Sequence, residues 1–176
     1  MKCDRASNGE SICKAAARIM TLPTILAVFL LIYASCAVAS TKMPAFVLPS
    51  VVDGNEISSS AFKEKTLLVT FFATWCAPCV QEVPTLVKLQ EKYGKDTFSV
   101  IGLSVDRSSP RVVKRFVEKH NITYPVLMAT AETMQDFGGV YGIPATFLIN
   151  KKGNVVKKYP GYIPQSVLEK DLKKIL

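Results

Sequence analysis

The sequence predicts an α/β fold in which helices flank a central sheet, preceded by a separate apolar segment. Two apolar runs rich in β-formers, at residues 66–73 and 98–105, are each followed by a segment with helical spacing. Such alternation predicts parallel strands connected by crossover helices. Residues 145–149 and 154–159 are strand-like segments joined by a turn, which predicts an antiparallel hairpin. The central sheet is therefore expected to be mixed.

Composition is consistent with one globular domain and an appendage. The 176 residues are 49% hydrophobic and 20% charged, which suits a packed core and argues against general disorder. The formal net charge is +8, and its lysines occur partly as scattered pairs without interleaved aromatic residues on a strand. This mild basicity indicates a solvated face, or attraction to anionic lipid or an acidic partner, and no nucleic-acid partner is expected.

An uncharged segment at residues 19–39 predicts the compartment. It is long enough to span a bilayer as a helix. Lys14 and Arg18 precede it, so residues 1–18 are expected to stay in the cytoplasm as the n-region, and the chain beyond to face the periplasm or the outer side of the membrane. Three fates are open for the segment: it is retained as an anchor, it is a signal cleaved after Ala39, or it is lipidated at Cys36.

The region from residue 40 to 65 is expected to form a small N-terminal hairpin extension. Phe46 opens a short apolar stretch, and residues 53–55, Asp-Gly-Asn, have the composition of a turn. A serine cluster then caps a short stretch that runs through Phe62.

The run at residues 66–73 is expected to be a central strand covered on both faces, because it is continuously apolar and too short for a helix. It leads directly to two cysteines, after which apolar residues recur at helical spacing from Pro78 to Tyr93. Pro84 is expected to kink this helix, and Gly94 is expected to end it.

The second half of the chain continues the alternation and closes with a hairpin and a helix. Residues 98–105 predict a second strand, and Ser109 with Pro110 predicts the start of a second helix. A turn at residues 150–153 joins the two strands of the hairpin. An amphipathic helix from Pro164 closes the chain.

Cys76 and Cys79 form a Cys-x-x-Cys pair with three interpretations: a redox dithiol, half of a zinc site, or a chance occurrence. A zinc site needs four ligands, and after residue 40 the sequence contains no other cysteine and a single histidine, His120. The pair falls where a buried strand meets a helix amino terminus. Unpaired N–H groups and the helix dipole favour thiolate over thiol there. These points favour the redox dithiol, and no metal or other cofactor is expected.

This position predicts a two-step exchange reaction. An exposed Cys76 thiolate attacks a substrate disulfide, and Cys79, one helical turn inward, attacks the resulting mixed disulfide. Pro78 is expected to fix the helix start without loss of a needed N–H donor. Trp75 is expected either to flank the thiols as an apolar lid or to fill the core.

Several separated motifs carry a family resemblance. They are the strand 67–75 leading into Cys76-Ala-Pro-Cys79, then Glu82 and Pro84, then Ile-Gly-Leu-Ser-Val-Asp at 101–106, then Tyr-Gly-Ile-Pro-Ala-Thr-Phe-Leu-Ile at 141–149. Over about residues 44–174 the chain resembles the thioredoxin-fold proteins of the TlpA and ResA type, in the AhpC/TSA-related redoxin superfamily. The resemblance implies a thioredoxin-like fold for residues 40–176. It also implies the activity of a tethered reductase of extracytoplasmic proteins, including apocytochromes c.

The resemblance further implies roles for residues outside the pair. Pro144 is expected to be a cis-proline that lies against the dithiol, with Ile143 offering its backbone to an extended substrate segment. Glu82 is expected near Cys79 as a partly buried proton shuttle, and its alternative is an ordinary solvated helix residue. The residues expected to contact substrate are Trp75, Ala77, Pro78, Ile143 and Pro144.

Departures from related patterns define the alternatives. Thioredoxins proper carry a buried aspartate where Thr70 stands, so a buried base must be Glu82, water or nothing. A peroxidase of this fold would carry threonine in place of Ala73, and a non-enzymatic binding module with a structural disulfide is the other alternative. Ala77 and Pro78 offer no side-chain donor to stabilise the thiolate further, which favours a reductase of protein disulfides. Its reduction potential is expected nearer roughly −270 mV than −120 mV, with a membrane-embedded dithiol carrier as electron donor.

Overall fold

The computed structural model describes residues 41–94 and 96–176. The predicted n-region at 1–18, the segment at 19–39 and Cys36 lie outside the described residues. Within the described part of the chain, none of the helices combines the length and the apolar composition that a membrane crossing requires.

The described residues form a five-stranded mixed sheet and a separate two-stranded hairpin. The strands, numbered along the described chain, are β1 (Val47–Pro49), β2 (Glu56–Ser58), β3 (Thr66–Phe72), β4 (Phe98–Ser104), β5 (Val126–Met128), β6 (Ala145–Ile149) and β7 (Val155–Pro160). The sheet order is β5-β4-β3-β6-β7. β3 pairs in parallel with β4 and antiparallel with β6, which confirms the mixed central sheet.

Four α-helices are described. They are α1 (Ala77–Tyr93), α2 (Pro110–Lys119), α3 (Ala131–Asp136) and α4 (Gln165–Leu172). The predicted starts of the first, second and last helices are correct to within one residue, because each begins at a proline or directly beside one. α1 continues without a break through Pro84.

Apolar side chains cover both faces of β3, as its uninterrupted apolar sequence predicts. Leu68 and Phe72 pack in one cluster with side chains from α1, α2 and α4. Leu67, Val69 and Phe71 pack in a second cluster with Phe137, with Phe46 and with Leu48 of the hairpin. Alternate side chains of β3 thus stabilise opposite faces of the sheet.

The predicted N-terminal hairpin is present as the antiparallel pair β1–β2. It is attached to the edge of the main sheet, where the Val51 N–H donates to the Val126 carbonyl at 3.0 Å. The serine cap is also present, since the Ser58 hydroxyl accepts from the Ser60 N–H and begins a 3-10 turn that ends at Phe62.

Sequence analysis missed β5 and α3. β5 has three residues and α3 has six, so neither is long enough to show a periodicity of its own. β5 exists because Val126 and its neighbours pair with the exposed edge of β4, which is a long-range contact that local sequence does not encode.

Candidate active site

The chain turns sharply between β3 and α1. The Cys76 N–H donates to the Ala73 carbonyl at 3.1 Å and closes a turn over Thr74 and Trp75. Cys76 is the N-cap of α1, with its sulfur accepting from the Cys79 N–H at 3.3 Å. A buried strand and a helix start therefore meet at the cysteine pair, as the sequence predicted.

Cys76 and Cys79 are joined by a disulfide bond. Both are buried, and Cys76 is only 6% exposed. The expectation of an exposed Cys76 is therefore wrong for this oxidised form, because its sulfur is bonded inward to Cys79 and also faces the first turn of α1.

Residues around the pair are open to solvent. Trp75 is 72% exposed, so the core-filling alternative for this side chain is wrong. Ala77 and Pro78 are also exposed. A substrate can therefore reach the backbone and side chains on either side of Cys76.

The peptide bond between Ile143 and Pro144 is cis. Pro144 is buried, and its carbonyl accepts from the Gly161 N–H at 2.8 Å. Ile143 is half-buried and packs against the apolar cluster that contains both cysteines. The substrate contact expected of these two residues stays a prediction.

Glu82 lies in α1 at 1% exposure, so the interpretation as a solvated helix residue is wrong. One carboxylate oxygen, Oε1, accepts from the Ile163 N–H at 2.6 Å. Burial raises the pKa of Glu82 to about 7, and the Ile163 hydrogen bond opposes that rise. The buried phenol of Tyr124 is close enough for the Glu82 charge to add to the effect of burial in raising the Tyr124 pKa. No lysine, arginine or histidine of residues 41–94 and 96–176 forms an ion pair with Glu82.

Thr70 occupies the position at which thioredoxins proper carry a buried aspartate. It lies opposite Thr146 in the β3–β6 pair, and the Thr146 hydroxyl donates to the Thr70 hydroxyl at 3.0 Å. Both side chains are buried. A neutral hydroxyl pair thus fills this place, which leaves Glu82 as the buried carboxyl group of α1.

Sequence analysis did not assign a role to Asp106, which the structure places beside the turn. Its carboxylate accepts from the Thr74 N–H at 2.9 Å and from the Thr74 hydroxyl at 2.7 Å. The partners are 32 residues apart, so spacing along the chain gives no signal of the contact. The motif at residues 101–106, which ends on Asp106, is the sequence signal that could have identified it.

His120, the single histidine after residue 40, is the C-cap of α2. Its ring lies against the Phe116 ring, with centroids 4.3 Å apart.

Comparisons with known proteins agree with this geometry. The family model described as Redoxin matches residues 38–176. A thiol-disulfide oxidoreductase ResA of Bacillus thuringiensis subsp. konkukian is 33% identical over 134 residues, covering 76% of this chain and 76% of that protein. A ResA of Geobacillus thermodenitrificans is 31% identical over 153 residues, covering 86% of each.

A solved structure extends the comparison to the fold. The crystal structure of a thiol:disulfide interchange protein, a thioredoxin family protein from Chlorobium tepidum TLS, matches with a TM-score of 0.71 and 35% identity. The match covers 77% of this chain and 96% of that one. The thioredoxin-like fold that the motifs implied is therefore confirmed for the described domain.

Proposed function

We propose that this chain, which belongs to the Redoxin family and is a ResA-like thiol-disulfide oxidoreductase, reduces protein disulfides outside the cytoplasm. The observation that carries the proposal is the Cys76–Cys79 disulfide at the amino terminus of α1. The first N–H groups of a helix and its dipole stabilise a sulfur anion, so the reduced pair has a reactive thiolate at Cys76.

The proposed reaction has two exchange steps. The Cys76 thiolate attacks one sulfur of a substrate disulfide, which forms a mixed disulfide and releases the other substrate sulfur as a thiolate. The Cys79 thiolate then attacks the Cys76 sulfur, which forms the intramolecular disulfide and releases the second substrate thiolate. Two electrons pass from the dithiol to the substrate, and its two thiolates take up protons.

We propose that Glu82 accepts the proton of the Cys79 thiol. The two residues are three positions apart in α1, and side chains at that spacing lie on one helix face. Both are buried. A carboxyl group with a pKa of about 7 exchanges protons near neutral pH. Glu82 thus has the properties of a base that would accept the Cys79 proton before the second step.

The substrate is proposed to lie across the exposed rim of the pair. Trp75, Ala77 and Pro78 are exposed on one side. The backbone of Ile143, next to Pro144, supplies peptide hydrogen-bonding groups for an extended segment. We propose apocytochrome c haem-site disulfides as the substrate class, on the basis of the family resemblance.

The extracytoplasmic location is supported by the sequence of residues 19–39, which is uncharged and preceded by basic residues. Reduction in such a compartment needs a continuing source of electrons, for which we propose a membrane-embedded dithiol carrier. Alkaline phosphatase fused after residue 45 should be active in cells, and an inactive, stably expressed fusion would contradict this location.

The reduction potential and a trapping variant test the function. We expect a potential near roughly −270 mV in equilibrium with a thiol buffer, whereas a value near −120 mV would indicate an oxidase. Cys79→Ser should accumulate a mixed disulfide with an oxidised Cys-x-x-Cys-His peptide, because the second step is blocked. Cys76→Ser is the matched control and should trap none. Equal trapping by both variants would refute Cys76 as the attacking residue.

A further inference from the structure

Asp106 is a buried acidic residue at the end of β4, next to the active-site turn. Its Oδ1 accepts from the Thr74 hydroxyl, and its Oδ2 accepts from the Thr74 N–H and from the Ser104 hydroxyl at 2.8 Å. The side chain is 6% exposed. In the described residues it has no ion-pair partner, so these hydrogen bonds are what compensates its burial.

These bonds hold the chain that presents the attacking cysteine. Thr74 is the first of the two residues inside the turn that the Cys76 N–H closes on Ala73. Trp75 is the second, and it is largely exposed. Two Cα steps of about 3.8 Å separate Thr74 from Cys76, so their Cα atoms lie within about 7.6 Å. A shift of Thr74 therefore moves Trp75 and Cys76 as well.

The Cys76 end of the turn is attached to α1 through the disulfide and the Cys79 N–H, whereas the Trp75 side chain adds no such attachment. Trp75 has neither a side-chain hydrogen bond nor an aromatic contact with the described residues. Asp106 contributes two of the hydrogen bonds that fix the turn, and it lies outside β3 and α1, in the loop just after β4. Because the Ser104 hydroxyl donates to it, Asp106 links the turn to the end of β4, the strand next to β3.

We propose that Asp106 is a positioning residue of the dithiol, which anchors the turn at Thr74 and thereby sets where Trp75 and the Cys76 sulfur meet a substrate. The proposal rests on the proposed role of Cys76 as the attacking thiol. It adds a residue that touches neither cysteine and acts through Thr74.

The chemistry of the site provides a conservative variant. In Asp106→Asn, an oxygen at the Oδ2 position can still accept from the Thr74 N–H and the Ser104 hydroxyl. The amide nitrogen takes the Oδ1 position and can donate to the Thr74 hydroxyl. The direction of this hydrogen bond reverses, which is possible because a hydroxyl both donates and accepts. Asparagine therefore preserves all three contacts, whereas Asp106→Ala removes them all. Thr74→Val removes only the hydroxyl contact.

The experiment measures the second-order rate constant for reduction of an oxidised Cys-x-x-Cys peptide by each reduced variant. Asp106→Ala should lower it roughly 10- to 100-fold, the effect of a displacement of about 1 Å at a reacting group. Thr74→Val should lower it roughly threefold or more. Asp106→Asn should stay within about threefold of the wild type.

Two further measurements separate positioning from general loosening of the fold. Thr130→Ala removes the N-cap of α3, whose hydroxyl accepts from the Thr133 N–H at 3.1 Å. Within the described residues Thr130 has no hydrogen bond to residues 73–76 of the turn. It should lower the unfolding midpoint and leave the rate constant unchanged. Trp75 is the only tryptophan of the chain, so the fluorescence difference between oxidised and reduced protein reports on the turn. It should change in Asp106→Ala and stay as in the wild type in Thr130→Ala.

The proposal is overturned if folded Asp106→Ala reacts within twofold of the wild type, or if Asp106→Asn is as slow as Asp106→Ala. It is also overturned if Thr130→Ala slows the reaction as much as Asp106→Ala. Should Asp106→Ala not fold, Thr74→Val decides, and a rate within twofold of the wild type overturns the proposal. A wild-type protein that does not reduce the peptide would instead contradict the proposed function.

Discussion

The carboxyl group of Glu82 is buried and accepts one hydrogen bond, from the Ile163 N–H. Because it is buried only in the folded state, its protonation is linked to folding. Its pKa is about 7 in the folded protein, against an ordinary value of 4.5. The folded state therefore binds this proton more tightly than the unfolded state does. Between these two pKa values the unfolded chain loses the proton first, so the free energy of unfolding falls as pH rises.

Glu82→Gln should remove this pH dependence. Glutamine keeps an oxygen to accept from Ile163 and does not ionise. Relative to the variant, the wild type should lose at most about 3 kcal/mol of unfolding free energy between pH 4.5 and pH 7, and little more above it. Urea unfolding of both oxidised proteins at pH 4.5 and pH 8 measures this, with Gln81→Ala as a control on the same helix. Parallel pH curves for wild type and Glu82→Gln would contradict the linkage.

The same variant tests the proton-acceptor role. In reduced Glu82→Gln, titration of Cys79 should give a changed pKa and the second exchange step should slow, because the base is absent. An unchanged Cys79 pKa together with an unchanged exchange rate would end this role for Glu82.

At the scale of single residues, the sequence predicts which residues belong to the site better than it predicts their burial and contacts. Cys76 and Cys79 were predicted from their type and spacing. Pro144 was predicted from the family resemblance, since its spacing alone indicates only a turn before a strand. Full burial of Glu82 could not be predicted, because acidic residues are almost never fully buried and its partner Ile163 is 81 residues away. Asp106 was missed for the same reason, since its partner comes from another element.

At the scale of elements, α1 contains a proline that its hydrogen-bond pattern does not favour. Pro84 lies inside the helix and is exposed. A proline lacks the N–H that would bond to the carbonyl four residues earlier, which costs roughly 3 kcal/mol in a helix interior. The predicted kink at this position stays a prediction.

Pro84→Ala should therefore stabilise the oxidised protein by about 1–3 kcal/mol. The new N–H can donate to the Val80 carbonyl one turn earlier. The reduction potential should stay unchanged, because both cysteines precede this turn. Urea unfolding and thiol equilibration measure the two quantities, and Gln81→Ala, also exposed in α1, should change neither by much. Destabilisation by Pro84→Ala would mean that packing requires a proline at this position.

Elements with a strong local signal were predicted to within one or two residues. β3 and β4 are long apolar runs, and the boundaries of α1 follow from the proline and glycine near its ends. β5 and α3 depend on contacts with β4 and with the core around Phe137. Their formation is decided by tertiary pairing, which overrides weak local preference.

At the scale of the whole molecule, the redox state of Cys76 and Cys79 and the stability of the fold are parts of one thermodynamic cycle. The unfolding free energy of the oxidised protein minus that of the reduced protein is proportional to the reduction potential of the unfolded chain minus that of the folded chain. Each 30 mV corresponds to about 1.4 kcal/mol. Strong oxidants of this chemistry have a stabilised reduced form. A reductase requires the opposite, an oxidised form that is more stable than the reduced form.

The proposed direction of electron flow therefore predicts that the oxidised protein is more stable than the reduced one. Guanidinium unfolding with and without reductant should give the higher midpoint for the oxidised form. The potential of the pair measured in the unfolded chain should be less negative than that of the folded protein by the matching amount. The double variant Cys76→Ser/Cys79→Ser is the control, and its midpoint should not respond to reductant. If the reduced form is instead more stable than the oxidised form, the folded protein favours the dithiol. The protein would then be assigned as an oxidase and not as a reductase.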